Sequence, residues 1–367
     1  MAPFTLDLEK TTSRSMTVAL EPAFNAFVSG LLIEKNVGDP GIHEWVERVR
    51  SQMSAEEQGR HSLVMTGFFY AAVPRNSWDN FSVYLDYLER RPPSAFRETL
   101  LDSYSGIFMK ERAKNHLQEK VNWNEVLSTT SNYLSFLKDR FGDEHIDEEI
   151  ESRAYQYVID PDAMKQLIVG HLRWFWKNHL EKEWSRVQPM LLDSVKAFTR
   201  VDLNNMSRIE AARFITGQEL QEEKWAESLE RAEKVIFIPN AHIGPYLQRS
   251  YLNDTFYIFF GARQPEGEEV RIPELERTEI VSRLSALADD TRMRILRMVI
   301  EHGEMRSQEV IDATGLSQPS VSRYLAQLSA TGYLHERREN GSKIYAVNFD
   351  RIEKTLKAVS AFLRDRS

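Results

Sequence analysis

Residues 289–347 read DDTRMRILRMVIEHGEMRSQEVIDATGLSQPSVSRYLAQLSATGYLHERRENGSKIYAV, and the spacing of their apolar and turn-forming positions predicts three short helices followed by a basic β-hairpin. Asp289 and Asp290 can cap a helix whose apolar positions Ile295, Leu296, Val299 and Ile300 recur at helical spacing, and Gly303 ends it. A second short helix follows, with Val310 and Ile311 inward and Gly315 in the turn after it. Ser317 is placed to cap a third helix, Pro319 falls in its first turn where a missing N–H costs nothing, and Val321, Leu325 and Leu328 form one apolar stripe. Gln318, Ser320, Arg323, Tyr324 and Gln327 are then expected to face away from the core. Residues 333–349 form two strand-like runs joined at Asn340-Gly341, a pair that tolerates the positive φ angles of a tight hairpin turn.

This layout is that of a winged helix-turn-helix for duplex DNA. Short polar side chains at the start of the third helix, Ser317, Ser320 and Ser322 among them, let its backbone approach phosphates, where exposed N–H groups and the helix dipole favour an anion. Gln318, Arg323 and Gln327 are of the types that make paired hydrogen bonds to base edges in the major groove, and Tyr324 shares their expected face. Arg337, Arg338 and Lys343 put positive charge near Asn340 at the hairpin tip, as a wing that touches the sugar-phosphate backbone requires.

Thr291-Arg292 with Arg294-Ile295-Leu296, the run from Gly315 through Ser322 to Leu325, then Leu328 and Gly332-Tyr333-Leu334, resemble the ArsR-type winged-helix transcriptional regulators. The resemblance covers the last quarter of the chain. It implies a homodimer on an inverted-repeat operator, family habit favouring repression, with helices over residues 276–288 and 350–364 packing across the two-fold axis. Ile280, Leu284, Leu287, Ile352, Leu356, Val359 and Leu363 suit that role, and suit packing within one chain as well. The sequence departs from the metal-sensing members: the cysteine position before the recognition helix reads Met305-Arg306-Ser307-Gln308-Glu309-Val310, the chain has no Cys, and residues 350–364 contain no His. No metal and no cofactor is therefore expected.

A chain of 367 residues is long for one DNA-binding module, and the expected division is a helical sensor or regulatory domain over 1–262, a polar linker over 263–275 and the winged helix-turn-helix over 276–367. The net charge of −8 looks wrong for a DNA binder until it is split: residues 276–367 carry 15 basic against 13 acidic side chains, which leaves about −10 for the rest. A weakly basic module must rely on local placement, and Arg292, Arg294, Arg306, Arg323, Arg337, Arg338 and Lys343 are the cations available. The absence of cysteine, of a long apolar run and of a basic-then-apolar leader leads us to expect a cytoplasmic protein with no membrane partner.

The fold expected is mainly α: a multi-helix N-terminal domain with a small β element, followed by the α+β winged helix. Residues 4–8 and 16–20 alternate as short strands, and 234–239 and 255–260 read as further strands that could join them in a small sheet. Between these the chain is helical, with breaks near residues 38–41, 73–76, 91–93, 141–143, Pro161 and Gly217. The stretch 171–184 places Trp174, Phe175 and Trp176 on more than one side of a helix, so it is expected to be enclosed; these rings with His179 could wall a pocket for a small apolar effector, or simply build a core. His242 follows a strand in a loop, where sites often lie. The acidic cluster around His145 reads as a solvated loop and helix start, and His179 with Glu183 as a surface pair one turn apart. No GxSxG, phosphate-loop, HExxH or dinucleotide fingerprint is present, so no catalytic residue is nominated. The alternative to a regulator is an enzyme or scaffold whose winged helix serves dimerisation or protein interaction.

Overall fold

The computed structural model of the chain describes residues 15–35, 41–106, 121–220, 222–252, 254–266 and 272–364. These residues divide into two compact units, one drawn from Met1–Leu20, Asp39–His43 and Gln188–Ser367, the other from Glu21–Gly38 and Glu44–Val187. Among them no helix is long and apolar enough to cross a membrane.

The second unit is helical, as expected. Its helices include Pro22–Lys35, Ala55–Ser62, Phe81–Arg90, Glu148–Val158 and Pro161–Phe175. The stops are local chemistry: Asn80 caps Phe81–Arg90 by accepting from Val83 N, Asp160 caps Pro161–Phe175 with Pro161 at its first position, and Gly142 at φ 101° ends Thr130–Phe141. Trp45, Phe27, Phe68, Phe81, Phe96, Tyr133 and Phe175 fill the interior with fully buried rings. Around His145 the chain makes a short 3₁₀ turn, and Asp147 caps the following helix, so that acidic cluster is a helix start. Two π-helical turns, Leu63–Gly67 and Trp176–Leu180, interrupt the α-helical spacing, and no feature of the residue pattern announces them.

The first unit holds both sheets. Strands β1 (Ser15–Val18), β2 (Lys234–Asn240), β3 (Gln248–Leu252) and β4 (Thr255–Gly261) form the order β1-β2-β4-β3, parallel except for β3. The central β2 is an almost unbroken apolar run because it is covered on both faces, Val235, Phe237 and Ile238 being fully buried. Phe198, Ile215, Trp225 and Leu229 pack on this sheet. Arg208 closes the layer by donating to the carbonyls of Leu229, Ala232 (2.7 Å) and Glu233 (3.3 Å), where a helix ends and β2 begins. The expected strand at 16–20 is β1; the one expected at 4–8 lies outside the described residues.

The first residues of the expected linker, 263–266, are pinned within this unit. Arg263 is buried and donates to the carbonyls of Phe214 (3.1 Å) and Ile215 (3.4 Å), and its own carbonyl accepts from Ser194 Oγ (2.5 Å). Arg351 ties the C-terminal helix back to the same region, through Gly217 O (2.8 Å) and Glu266 Oε1 (3.1 Å).

The C-terminal module runs through Pro273–Leu287, Asp290–His302, Ser307–Thr314 and Gln318–Ala330, then the hairpin β6 (Leu334–Glu339) and β7 (Ser342–Val347), then Phe349–Arg364. A short β5 (Met305–Arg306) adds to the hairpin, giving the order β5-β7-β6. Ile295, Leu296, Val299, Val310, Val321, Leu325, Leu328 and Tyr333 make the core. Ile300 was expected in it and is instead exposed, because helix Asp290–His302 turns that position away.

Candidate nucleic-acid interface

The helix Gln318–Ala330 begins as its sequence dictates. Ser317 Oγ accepts from Ser320 N (3.4 Å) and also meets Ser320 Oγ (2.9 Å), and Pro319 stands in the first turn. One face of the helix is the apolar stripe Val321, Leu325 and Leu328, all buried. Gln318, Ser322 and Arg323 are exposed, with nothing of the module's core beneath them. The helix is thus anchored on one side and carries on the other Gln, Ser and Arg, side chains of the types that hydrogen-bond to base edges.

Three of the expected outward residues sit differently. Gln327 is 0% exposed: it abuts the turn at Gly41, where an added Cβ would stand 2.9 Å from Gln327 Nε2, and its amide has no hydrogen-bond partner among the described residues. Helical periodicity puts this side chain opposite the core, and a distant segment then covers it. Tyr324 is half-buried against the module core, with the Arg292 guanidinium 5.9 Å from its ring centroid. Ser320 is half-buried and its hydroxyl is engaged by the cap. Arg292, counted among the available cations, is buried and donates to the carbonyls of Ala286 (2.8 Å) and Ser285 (2.7 Å), so it builds the module rather than its surface.

The hairpin turn has the predicted left-handed pair, Asn340 at φ 50° and Gly341 at φ 79°. Its cations are partly committed. Arg337 reaches Glu304 (2.6 Å) and Glu339 (3.2 Å), and Lys343 reaches Glu336 (3.0 Å). Arg338, one register step nearer the tip and paired across the strands with Lys343, is exposed. Exposed ion pairs contribute little and exchange readily for phosphate. The salt dependence of DNA binding should therefore flatten by about one unit of log–log slope in Arg338→Gln and by less in Arg337→Gln, whose loss also frees two carboxylates. An unchanged slope in both would remove the wing from the interface.

The residues nominated for a ligand fall into different units. Trp174, Phe175, Trp176 and His179 lie together in the helical unit, where Phe175 is core, Trp176 packs on Phe81 (5.4 Å) and His179 meets the edge of Trp174 (5.0 Å). Glu183, expected to pair with His179, is taken by Arg186 at 2.6 and 3.0 Å. His242 belongs to the other unit and is buried in the loop after β2, where Asn240 Oδ1 accepts from the backbone N of His242 (2.8 Å) and Ile243 (2.9 Å). Sequence reasoning missed a buried histidine pair in the helical unit. His61 Nδ1 lies 2.8 Å from His171 Nε2, and His61 Nε2 lies 2.9 Å from Gly30 O. Since a carbonyl only accepts, His61 carries its proton on Nε2 and its Nδ1 accepts from His171. Burial pulls His61 down to about 4 and His171 to about 2. Only the fold brings these two rings together, 110 residues apart in sequence.

Three helices, the second and third joined through Gly315, with a three-stranded wing against them, define a winged helix-turn-helix protein of the DNA-binding type. The family model described as the IclR helix-turn-helix domain matches residues 293–338. Among curated proteins, the chain is similar to the arsenic resistance transcriptional regulator ArsR1 of Pseudomonas putida, 46% identical over 59 residues, which are 16% of this chain and 45% of that protein. It is similar to the probable mercury resistance operon repressor of Streptomyces lividans, 39% identical over 67 residues, 18% of this chain and 53% of that protein. It is also 34% identical over 89 residues to the arsenic resistance transcriptional regulator ArsR2 of Pseudomonas putida, 22% of this chain and 77% of that protein. The chain thus spans about half the length of the first two relatives and most of the third. Through its C-terminal module it belongs to the ArsR family of helix-turn-helix transcriptional regulators.

Proposed function

We propose that the protein is a dimeric, effector-controlled transcriptional repressor that binds an inverted-repeat operator through Gln318–Ala330 and the wing. The observation that carries this reading is the exposed stripe Gln318, Ser322 and Arg323 on a helix whose opposite side is fully buried. Ser317 caps that helix and presents its N-terminus to a phosphate. In this reading residues 276–367 bind DNA and dimerise, and the chain before residue 263 supplies the regulation.

Dimerisation is supported by the helices Pro273–Leu287 and Phe349–Arg364, which pack on each other and still leave Val281 (54%), Leu356 (56%) and Leu363 (75%) exposed. The repressor reading draws on the printed function of the Streptomyces relative. Neither the metal in that name nor arsenic carries over. Soft metals need thiolates, and this chain has no cysteine.

Selection of sheared genomic DNA by the full-length chain at physiological salt tests the reading. A few fragments sharing an inverted repeat are expected, and Arg323→Ala should bind them about 5- to 150-fold more weakly, the loss of one base-reading contact. Equal weakening on scrambled DNA would reassign Arg323 to the backbone. Capture of no shared sequence would sink the operator reading.

A further inference from the structure

A cleft of about 640 Å3 opens within the first unit, between the winged helix and the β1–β4 sheet layer. That volume suits one small organic molecule and is far too small for a duplex. Gln318 and Ser322 of the recognition helix line one side, and Trp225, Leu247 and Arg249 the other. Within its lining His335 Nδ1 meets Glu219 Oε2 at 2.6 Å.

The charges around this cleft do not cancel. Lys343 is neutralised by Glu336 and His335 faces Glu219. Arg249 and Arg306 also line the cleft, and neither guanidinium pairs with a carboxylate among the described residues, although the Arg306 backbone N donates to Glu309 Oε2 (2.6 Å). The Arg249 guanidinium lies 4.8 Å over the Trp225 ring, a stack that holds the side chain and leaves its N–H edges for the oxygens of an anion. Burial lowers the pKa of Arg249, the direction expected of a cation short of a counter-charge. Leu220, Leu247 and Trp225 supply apolar surface beside it.

We propose that this cleft binds a small organic anion, a carboxylate or phosphate carried on an apolar body, and that the bound anion and DNA compete for the recognition helix. The proposal rests on the regulator reading and names its effector class. Gln318 and Ser322 are the shared element: a ligand seated against them holds the helix to the sheet layer, and a duplex needs that same face clear. A ligand that prefers the arrangement with the cleft closed lowers DNA affinity by the ratio of its two affinities, and DNA lowers the ligand's affinity equally.

The probe is 8-anilinonaphthalene-1-sulfonate, one anionic group on an aromatic body, titrated into the full-length chain and followed by energy transfer from tryptophan. One saturable site per chain is expected, weakened about tenfold or more in Arg249→Gln and retained in Arg249→Lys, with thermal unfolding of both variants checked against wild type. The dye should also displace operator duplex from the wild type and not from Arg249→Gln. Equal dye binding by wild type and Arg249→Gln overturns the site. Weaker DNA binding by Arg249→Gln without dye overturns it too, since the guanidinium would then be a phosphate contact. The dye titration needs no DNA, so a chain that captured no operator would remove the regulator reading while Arg249→Gln against Arg249→Lys still decided whether the cleft prefers anions.

Discussion

Tyr333→Ala is expected to destabilise the C-terminal module by about 3–5 kcal/mol, the usual cost of deleting a large ring from a packed interior. Tyr333 is fully buried immediately after the recognition helix, at the point where four elements meet. Its backbone N donates to Leu328 O (2.8 Å) and its carbonyl accepts from Asn348 N (2.9 Å), tying the recognition helix to the chain that leaves the wing. Its hydroxyl donates to Arg283 O (3.1 Å) and lies 3.2 Å from Thr355 Oγ1, so it also spans the first and last helices of the module. Gly332 at φ 82° makes the sharp exit that aims the ring inward. Tyr333→Phe keeps the ring and removes the hydroxyl, and should cost only about 0.5–1.5 kcal/mol. Urea unfolding of both variants checks this; a Tyr333→Ala loss no larger than that of Tyr333→Phe would show that the ring is not the module's keystone.

The second large effect is a pH response in the helical unit. His61 and His171 form a chain of neutral rings, and a proton on either would be a buried charge. Both are held below the ordinary histidine value, so between pH 6.5 and 4 the unfolded chain takes up protons that the folded unit refuses. Their contribution is thus complete above the unfolded pKa and is lost as pH falls, by about 2 kcal/mol per histidine at pH 5. Glu151 works in the opposite sense. Burial raises it to about 7, so the folded unit binds its proton first and gains stability on acidification. The informative quantity is the difference between proteins: a His61→Gln, His171→Gln double variant should be less stable at pH 7, yet lose about 3–4 kcal/mol less than wild type between pH 7 and pH 5. Parallel pH profiles for the two would mean that the rings titrate normally.

What the sequence made legible is what neighbouring residues decide among themselves. The caps at Ser317 and Asp289, the Gly315 and Gly303 stops and the Asn340-Gly341 turn each depend on a few adjacent residues, and each stands where its chemistry places it. Facing was less legible, because it depends on what arrives from elsewhere. Periodicity puts Gln327 on the solvent side, and the turn at Gly41 covers it. Arg292 and Arg337 carry the same charge in the sequence; one is spent on backbone carbonyls inside the module and the other shared between two glutamates. The two-residue β5 exists only because β7 is there to pair with it. His61 and His171 carried no signal, since neither has the other within reach along the chain.

The parallel pairing of β1 with β2 sets an order for biosynthesis. Ser15 stands opposite Lys234, and the whole helical unit is encoded between them. A ribosome therefore delivers the helical unit complete while β1 waits with its pairing edge open, and the sheet can close only after β2 and β4 have emerged. Nascent chains arrested before Lys234 should hold a protected helical unit and a protease-sensitive β1, and the winged helix over 273–364 is made only after the strands that β1 joins.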